Sequence, residues 1–286
     1  FNAVDAATIG VDESTQEDVD TYKIHFEYTV NDDVLAYALA SSGYRAGGFN
    51  RSAITGLSPA SRYDSDSLWN YEVGVRTSWL DNRLIANVVA YYIDWNEIQL
   101  RTLDLASLSR RIQNVGKAEV FGFETEIRYQ ATDHLHLGMN YAYTDATLAE
   151  DFLSENVVGP PTVLAADGDT LPGSSEHALT LLVDWQMSLT STLDLQANAS
   201  YVYTSSRPSS LVISDGATGG LPEVPSSDVT NLSAGIAHEN GVTASLFANN
   251  LFDDRNVQFR TNSGTALEGA VMNRPRTIGL RVGYTF

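Results

Sequence analysis

Apolar and polar residues alternate at period two along most of the chain, and this regularity restricts the fold more than any other feature of the sequence. Tyr22, Ile24, Phe26, Tyr28 and Val30 stand against Lys23, His25, Glu27 and Thr29. Trp69, Tyr71, Val73, Val75, Thr77 and Trp79 stand against Asn70, Glu72, Gly74, Arg76 and Ser78, and the same separation recurs over 121–130 and 277–286. Successive side chains of a strand point to opposite faces, so each run reads as a strand with one apolar and one polar side. Weaker alternation over 34–44, 83–100, 135–145, 179–186, 193–203, 229–238 and 242–249 predicts about eleven strands in all and no helix.

Two architectures accept such strands: a sandwich with one dry face per sheet, or a membrane barrel with lipid outside and a polar lumen. The connections choose between them. Short breaks at 31–33, 81–82, 131–133, 187–191 and 239–241 alternate strictly with long ones at 45–66, 102–114, 146–176, 204–228 and 251–276. Tight turns at one end and long loops at the other describe an outer-membrane barrel, with periplasmic turns and extracellular loops. Tyr22, Trp69, Trp79, Tyr92, Tyr129, Tyr143, Trp185, Tyr203, Tyr284 and Phe286 lie near strand ends on the apolar side, where interfacial girdles belong. The terminal aromatic of the last strand is similar to the end signal of bacterial outer-membrane proteins.

Composition removes several function classes. With 36 Asp and Glu against 17 Lys and Arg, the formal net charge is −19, which predicts no nucleic-acid partner. The absence of cysteine excludes disulfides, thiolate zinc sites and Cys nucleophiles within these residues. No apolar run is long enough for a spanning helix, and the first residues carry neither a basic start nor an apolar signal core. The five histidines are scattered, and no Walker loop, dinucleotide fingerprint or nucleophile elbow occurs. Neither a catalytic set nor a cofactor is predicted.

The polar faces carry Lys23, Glu27, Glu72, Arg76, Glu124, Glu126, Arg128, Asp184, Asp194 and Arg281. Mixed charges suit a lumen that is wet or packed against a polar plug, and do not suit a dry core. Gly116 and Gly122 are expected to leave backbone room beside these charges, and Asn249 to Asp253 to mark a strand exit where Asn and Asp bond their own backbone. From 129 to 206 there is no Lys or Arg, while ten acidic residues fall in that span. Within it Asp167-Gly168-Asp169 offers hard oxygens to a calcium ion, against the plainer reading of a solvated acidic loop. An acidic mouth favours cationic or neutral solutes over anions, within the limits of salt screening.

Several segments resemble the barrel region of TonB-dependent receptors. They are YALASSGYRAGGFN (37–50), LWNYEVGVRTSWLDNRLIANVVAYYIDWNEIQL (68–100), NVGKAEVFGFETEIRYQATDHLHLGMNYAYTDA (114–146), NNLFDDR (249–255) and RPRTIGLRVGYTF (274–286). Their order and spacing cover most of residues 20–286. The resemblance implies an importer that takes a scarce nutrient, such as a ferric siderophore, from extracellular loops through a plugged lumen with energy supplied by TonB. Candidate recognition residues are the aromatics and arginines near extracellular strand ends and loops: Tyr44, Arg45, Phe49, Trp95, Arg101, Tyr143, Tyr203, Arg207 and Arg260. The ligand is expected to be a small molecule or chelate. A complete small barrel acting as a passive channel or autotransporter translocator is the alternative, followed by an outer-membrane enzyme.

About eleven strands is an odd number, whereas single-chain bacterial barrels close with an even one. Counting back from Phe286 makes residues 1–20 part of an extracellular loop and 21–286 barrel strands and loops. The expectation is therefore an all-β, antiparallel transmembrane barrel of which this chain is the C-terminal half, in a barrel of roughly 22 strands. The remaining strands, a plug domain and a TonB-binding segment would come from an N-terminal part, as the same polypeptide or a companion chain.

Overall fold

The computed structural model describes residues 17–50, 62–104, 109–153, 161–209, 211, 223–262 and 268–285. All regular secondary structure in them is strand. Eleven strands make one sheet: β1 (Lys23–Asn31), β2 (Val34–Arg45), β3 (Asp66–Trp79), β4 (Leu84–Asn96), β5 (Ala118–Thr132), β6 (Leu135–Leu148), β7 (His177–Ser188), β8 (Leu193–Thr204), β9 (Ser227–His238), β10 (Val242–Asn249) and β11 (Thr277–Tyr284). Each is antiparallel to the next in sequence, so the sheet is an up-and-down meander. Among the described residues β1 and β11 each pair on one side only.

Register fixes the faces, because directly opposed residues of paired strands project to the same side. Phe26 opposes Ala38, Ala38 opposes Val73, Val73 opposes Ala90, Ala90 opposes Phe123 and Phe123 opposes Tyr143. At the far edge Leu246 opposes Leu280. This apolar side is bare: Ile24 is 69% exposed and Ile278 70%. A continuous apolar surface of this extent is unfavourable against water and is what hydrocarbon requires.

The short connections are held by local chemistry. Asp33 N–H donates to Asn31 Oδ1 (2.9 Å), and Val242 N–H to Asn240 Oδ1 (3.1 Å) beside Gly241, whose φ of +88° suits a residue without Cβ. At the other end the long connections are not structureless. Four contain two-stranded ribbons, formed by Gly48–Phe49 with Arg62–Tyr63, Gln99–Asp104 with Ser109–Asn114, Phe152–Leu153 with Val163–Ala165, and Val257–Asn262 with Glu268–Met272.

The structure corrects three details. The run 83–100 is two elements, because Glu97 at φ +56° turns the chain after β4 and extension resumes only at Gln99. Tyr22 precedes β1, and Phe286 lies outside the described residues, as do residues 1–16 of the expected N-terminal loop. The room left by Gly122 is filled: a Cβ there would meet the Tyr91 ring and, at 2.6 Å, the Tyr143 carbonyl oxygen. That glycine permits an aromatic ring to lie flat on the wall.

The dry core sits at the long-loop end of the polar side. Ile98, Val115, Ala118, Val120, Ala146, Leu148, Phe152, Ala165, Leu171 and Leu211 are buried there against Tyr91, Ile93 and Trp95. The loops thus fold back over the inner face of their own strands.

Candidate ligand-facing rim and inner wall

The ten charges assigned to the polar face do share it. Through the register Glu27 follows Tyr37, Gly74, Val89 and Glu124, while Arg76 follows Asn87 and Glu126. Much of this charge is matched along the wall. Arg128 pairs with Glu126, which also accepts from Asn87 Nδ2 (3.1 Å). Glu72 accepts from Asn70 Nδ2 (2.7 Å), Asp184 from Asn198, and Asp194 from Ser188 Oγ (2.7 Å). Arg76 stacks over the Tyr37 ring at 5.3 Å and Arg281 over Phe247 at 5.4 Å. Lys23 opposes Ser41 at the β1 edge. Tyr37, Arg76, Asn87, Glu124, Glu126 and Asn140 line a depression of about 390 Å³.

At the long-loop end the same face carries a tighter constellation. Arg45 closes β2 and Asp66 opens β3 directly opposite. The Arg45 guanidinium forks onto the Asp66 carboxylate through Nε (2.9 Å) and Nη2, and donates to the Gln99 carbonyl (3.1 Å). Asp66 is 2% exposed and also accepts the Gln99 N–H at 2.9 Å. Over this pair lies Trp95, with the guanidinium 4.9 Å from its ring. Trp95 Nε1 and Asn70 Oδ1 are buried without a hydrogen-bond partner, on diagonally adjacent positions of β4 and β3.

Of the nine recognition candidates, the structure brings only Arg45 and Trp95 together. Tyr44, Tyr143 and Tyr203 oppose Ser67, Phe123 and Leu179 on the apolar side, so they belong with the girdle aromatics and not with the inner rim. Phe49 and Arg101 stand in the first two ribbons, opposite Arg62 and Ile112. Arg207 bridges to Val224 and donates to the Gln258 carbonyl (2.7 Å), and Arg260 opposes Ala270 in the last ribbon. Of the acidic pair, Asp169 accepts from Ala166 N–H through Oδ2 (2.8 Å), and Asp167 donates its backbone N–H to Asp151 Oδ1 (2.9 Å). No group of three or more metal-ligating side chains occurs among the described residues.

An eleven-stranded meander with a bare apolar side, a charged inner side and loops tucked over one rim has a match among known proteins. Residues 2–251 fit the family described as TonB dependent receptor-like, beta-barrel. The chain belongs to the TonB-dependent receptor barrel family. It is 25% identical over 264 residues to the metal-pseudopaline receptor CntO of Pseudomonas aeruginosa, a match covering 92% of this chain and 33% of the relative. Its fold is similar to that of the ferric yersiniabactin uptake receptor FyuA from Yersinia pestis, with a TM-score of 0.70, 20% identity, and coverage of 91% of this chain and 36% of that one. The copper transporter OprC has a TM-score of 0.67 at 14% identity, over 92% of this chain and 39% of that one. The chain thus spans about a third of the curated relative's length and corresponds to a C-terminal portion of such barrels.

TonB-dependent receptor barrels are outer-membrane structures, so the apolar side is the lipid side and the long loops are extracellular. The rim residues that sequence reasoning missed are Asp66 and Gln99. Asp66 stands among polar neighbours in RYDSDS, and Gln99 looks like the continuation of a strand. Their burial follows from pairing across β2, β3 and the second ribbon, which no local pattern encodes.

Proposed function

We propose that this chain forms the C-terminal wall of an outer-membrane importer, which captures a scarce nutrient in chelated form at the extracellular rim and passes it inward with energy delivered through TonB. The observation that carries this reading is the family match over residues 2–251 of a sheet whose inner face stays polar along the wall. The relatives' names point to metals and metal chelates: metal-pseudopaline, ferric yersiniabactin and copper. A ferric siderophore or similar chelate is the cargo proposed here. The work is binding and passage, with no bond made or broken.

Trp95 at the rim, and Phe49, Arg101, Arg207 and Arg260 in separate loops, are the aromatic and cationic side chains offered to a chelate. Arg45 supports Trp95 from behind, since most of its donors are engaged by Asp66 and Gln99. The excess of carboxylates at the mouth disfavours strongly anionic chelates. Further strands close the sheet, and a plug fills the lumen against the charged wall. The test is uptake of radioactive iron, copper, zinc or nickel, each mixed with spent medium of metal-starved cultures, by cells lacking the gene. Loss of uptake of one metal, restored by the gene but not in cells without TonB, is expected. Unchanged uptake of all four would overturn the reading.

A further inference from the structure

Given the import reading above, we infer that the bases of the three extracellular loops between β2 and β7 form one preformed collar, which stays fixed while a ligand is captured. Loops that close individually over a ligand need separable bases. Here the bases are knitted together. Asn50, in the first loop, places both atoms of its amide on the backbone of Ile112 in the second: Nδ2 donates to the carbonyl (2.8 Å) and Oδ1 accepts the N–H (2.7 Å). Asn114 returns the same pairing to Asp64, with its Oδ1 accepting the N–H (2.8 Å) and its Nδ2 donating to the carbonyl (3.0 Å). A side-chain amide carries the donor and acceptor of a peptide group, so each asparagine works as a one-residue strand joining two loops. Gln99 adds bonds from Nε2 to the Ala46 carbonyl (3.0 Å) and the Asp64 carbonyl (2.9 Å), beside the buried Asp66.

The second loop is joined to the third as firmly. Lys117 N–H donates to Glu150 Oε1 (2.8 Å) and Ala149 N–H to the Lys117 carbonyl (2.9 Å). Gly116 at φ +104° lies under the Glu150 carboxylate, and a Cβ there would collide with it. The third loop then folds back on β6: Leu148 N–H donates to the Asp169 carbonyl (2.9 Å), Gly168 N–H to the Leu148 carbonyl (2.9 Å) and Leu171 N–H to the Ala146 carbonyl (2.8 Å). Beneath these bonds Ile98 and Val115 of the second loop pack in one buried cluster with Phe152, Ala165 and Leu171 of the third. Separating the second base from the third exposes that cluster, and moving the first breaks the paired Asn50–Ile112 and Asn114–Asp64 bonds at once, so the three bases open as one unit.

Two measurements on the full-length receptor test this. Hydrogen exchange of the parent needs no variant and no ligand: the amides of Gln99, Ile112, Ala149 and Leu171 are expected to exchange within about tenfold of wall amides in β5 and β6. Exchange at those four as fast as in unprotected chain overturns the collar even if the protein transports nothing. The second is a Thr147→Cys/Thr170→Cys pair, placed at an antiparallel bridge within these 286 cysteine-free residues, with any cysteine elsewhere in the receptor replaced by serine. It is expected to cross-link under mild oxidation, and the oxidised form to take up whichever of the four radioactive metals the gene restores at the rate of its reduced form. Failure to cross-link, or uptake that stops on oxidation and returns with reductant, overturns the claim.

Discussion

Val73 and Ser78 sit on the same strand, five residues apart, and face opposite solvents. Val73 lies midway along β3 on the lipid side and is 60% exposed, whereas Ser78 is on the inner side, opposite Ile85 near the periplasmic turn. An arginine at Val73 is expected to destabilise the folded barrel by about 2 to 4 kcal/mol, as charges do at the bilayer midplane. Ser78→Arg meets a polar lumen and is expected to be mild. Denaturation of the two variants in lipid vesicles measures the difference, and equal costs would mean the faces are assigned wrongly. Asp253 makes a pH prediction outside the membrane. Its carboxylate accepts the Arg276 N–H at 2.8 Å, which, with Arg255 and Arg276 nearby, holds its pKa below the usual value of 3.8. A depressed carboxylate stabilises the fold above its unfolded pKa, and that contribution is lost as pH falls below 3.8 through the folded value. Protection of the Arg276 amide, measured against the exchange of unstructured peptide at the same pH, should therefore fall on acidification below that point in the parent. In Asp253→Asn it should show no such step.

Elements were legible in the sequence where two solvents enforce alternation, and poorly legible where they do not. Strands β1, β3, β5 and β11 have an apolar residue at nearly every second place because lipid and lumen select opposite side chains, and all four stand close to their expected limits. The ribbons inside the loops lack that pressure. Gln99–Asp104 and Ser109–Asn114 are fixed instead by bonds to other loops, whose partners lie tens of residues away. The same gap explains the candidate site. Aromatic type and position near a strand end singled out Tyr143, yet its parity with Phe123 turns it to lipid. Arg45 and Trp95 have the parity of the inner side, and they meet. Arg45 also permits a test at this scale. Arg45→Ala strands a buried carboxylate and is expected to cost about 3 kcal/mol or more, whereas Asp66→Asn leaves a half-exposed guanidinium that water can solvate and keeps an acceptor for Gln99. A denaturation midpoint lower for Asp66→Asn than for Arg45→Ala would contradict this order.

At the scale of the whole molecule, the sheet has two open edges among the described residues, at β1 and β11. Each edge is a row of backbone donors and acceptors, and in hydrocarbon every unpaired group costs several kcal/mol. No arrangement of side chains offsets that, so in the membrane both edges must be paired. The family to which the chain belongs, and the third of the relative's length that it spans, point to further strands of a larger receptor barrel as the partners. The proposed plug and TonB coupling depend on that larger assembly, as does a lumen wide enough for a chelate. The most direct test is the mass of the denatured protein carrying this sequence, isolated from outer membranes in its folded state. A polypeptide well above 31.1 kDa, or a second chain that copurifies with it, is predicted. A single species of 31.1 kDa that forms a closed barrel by itself would contradict the account.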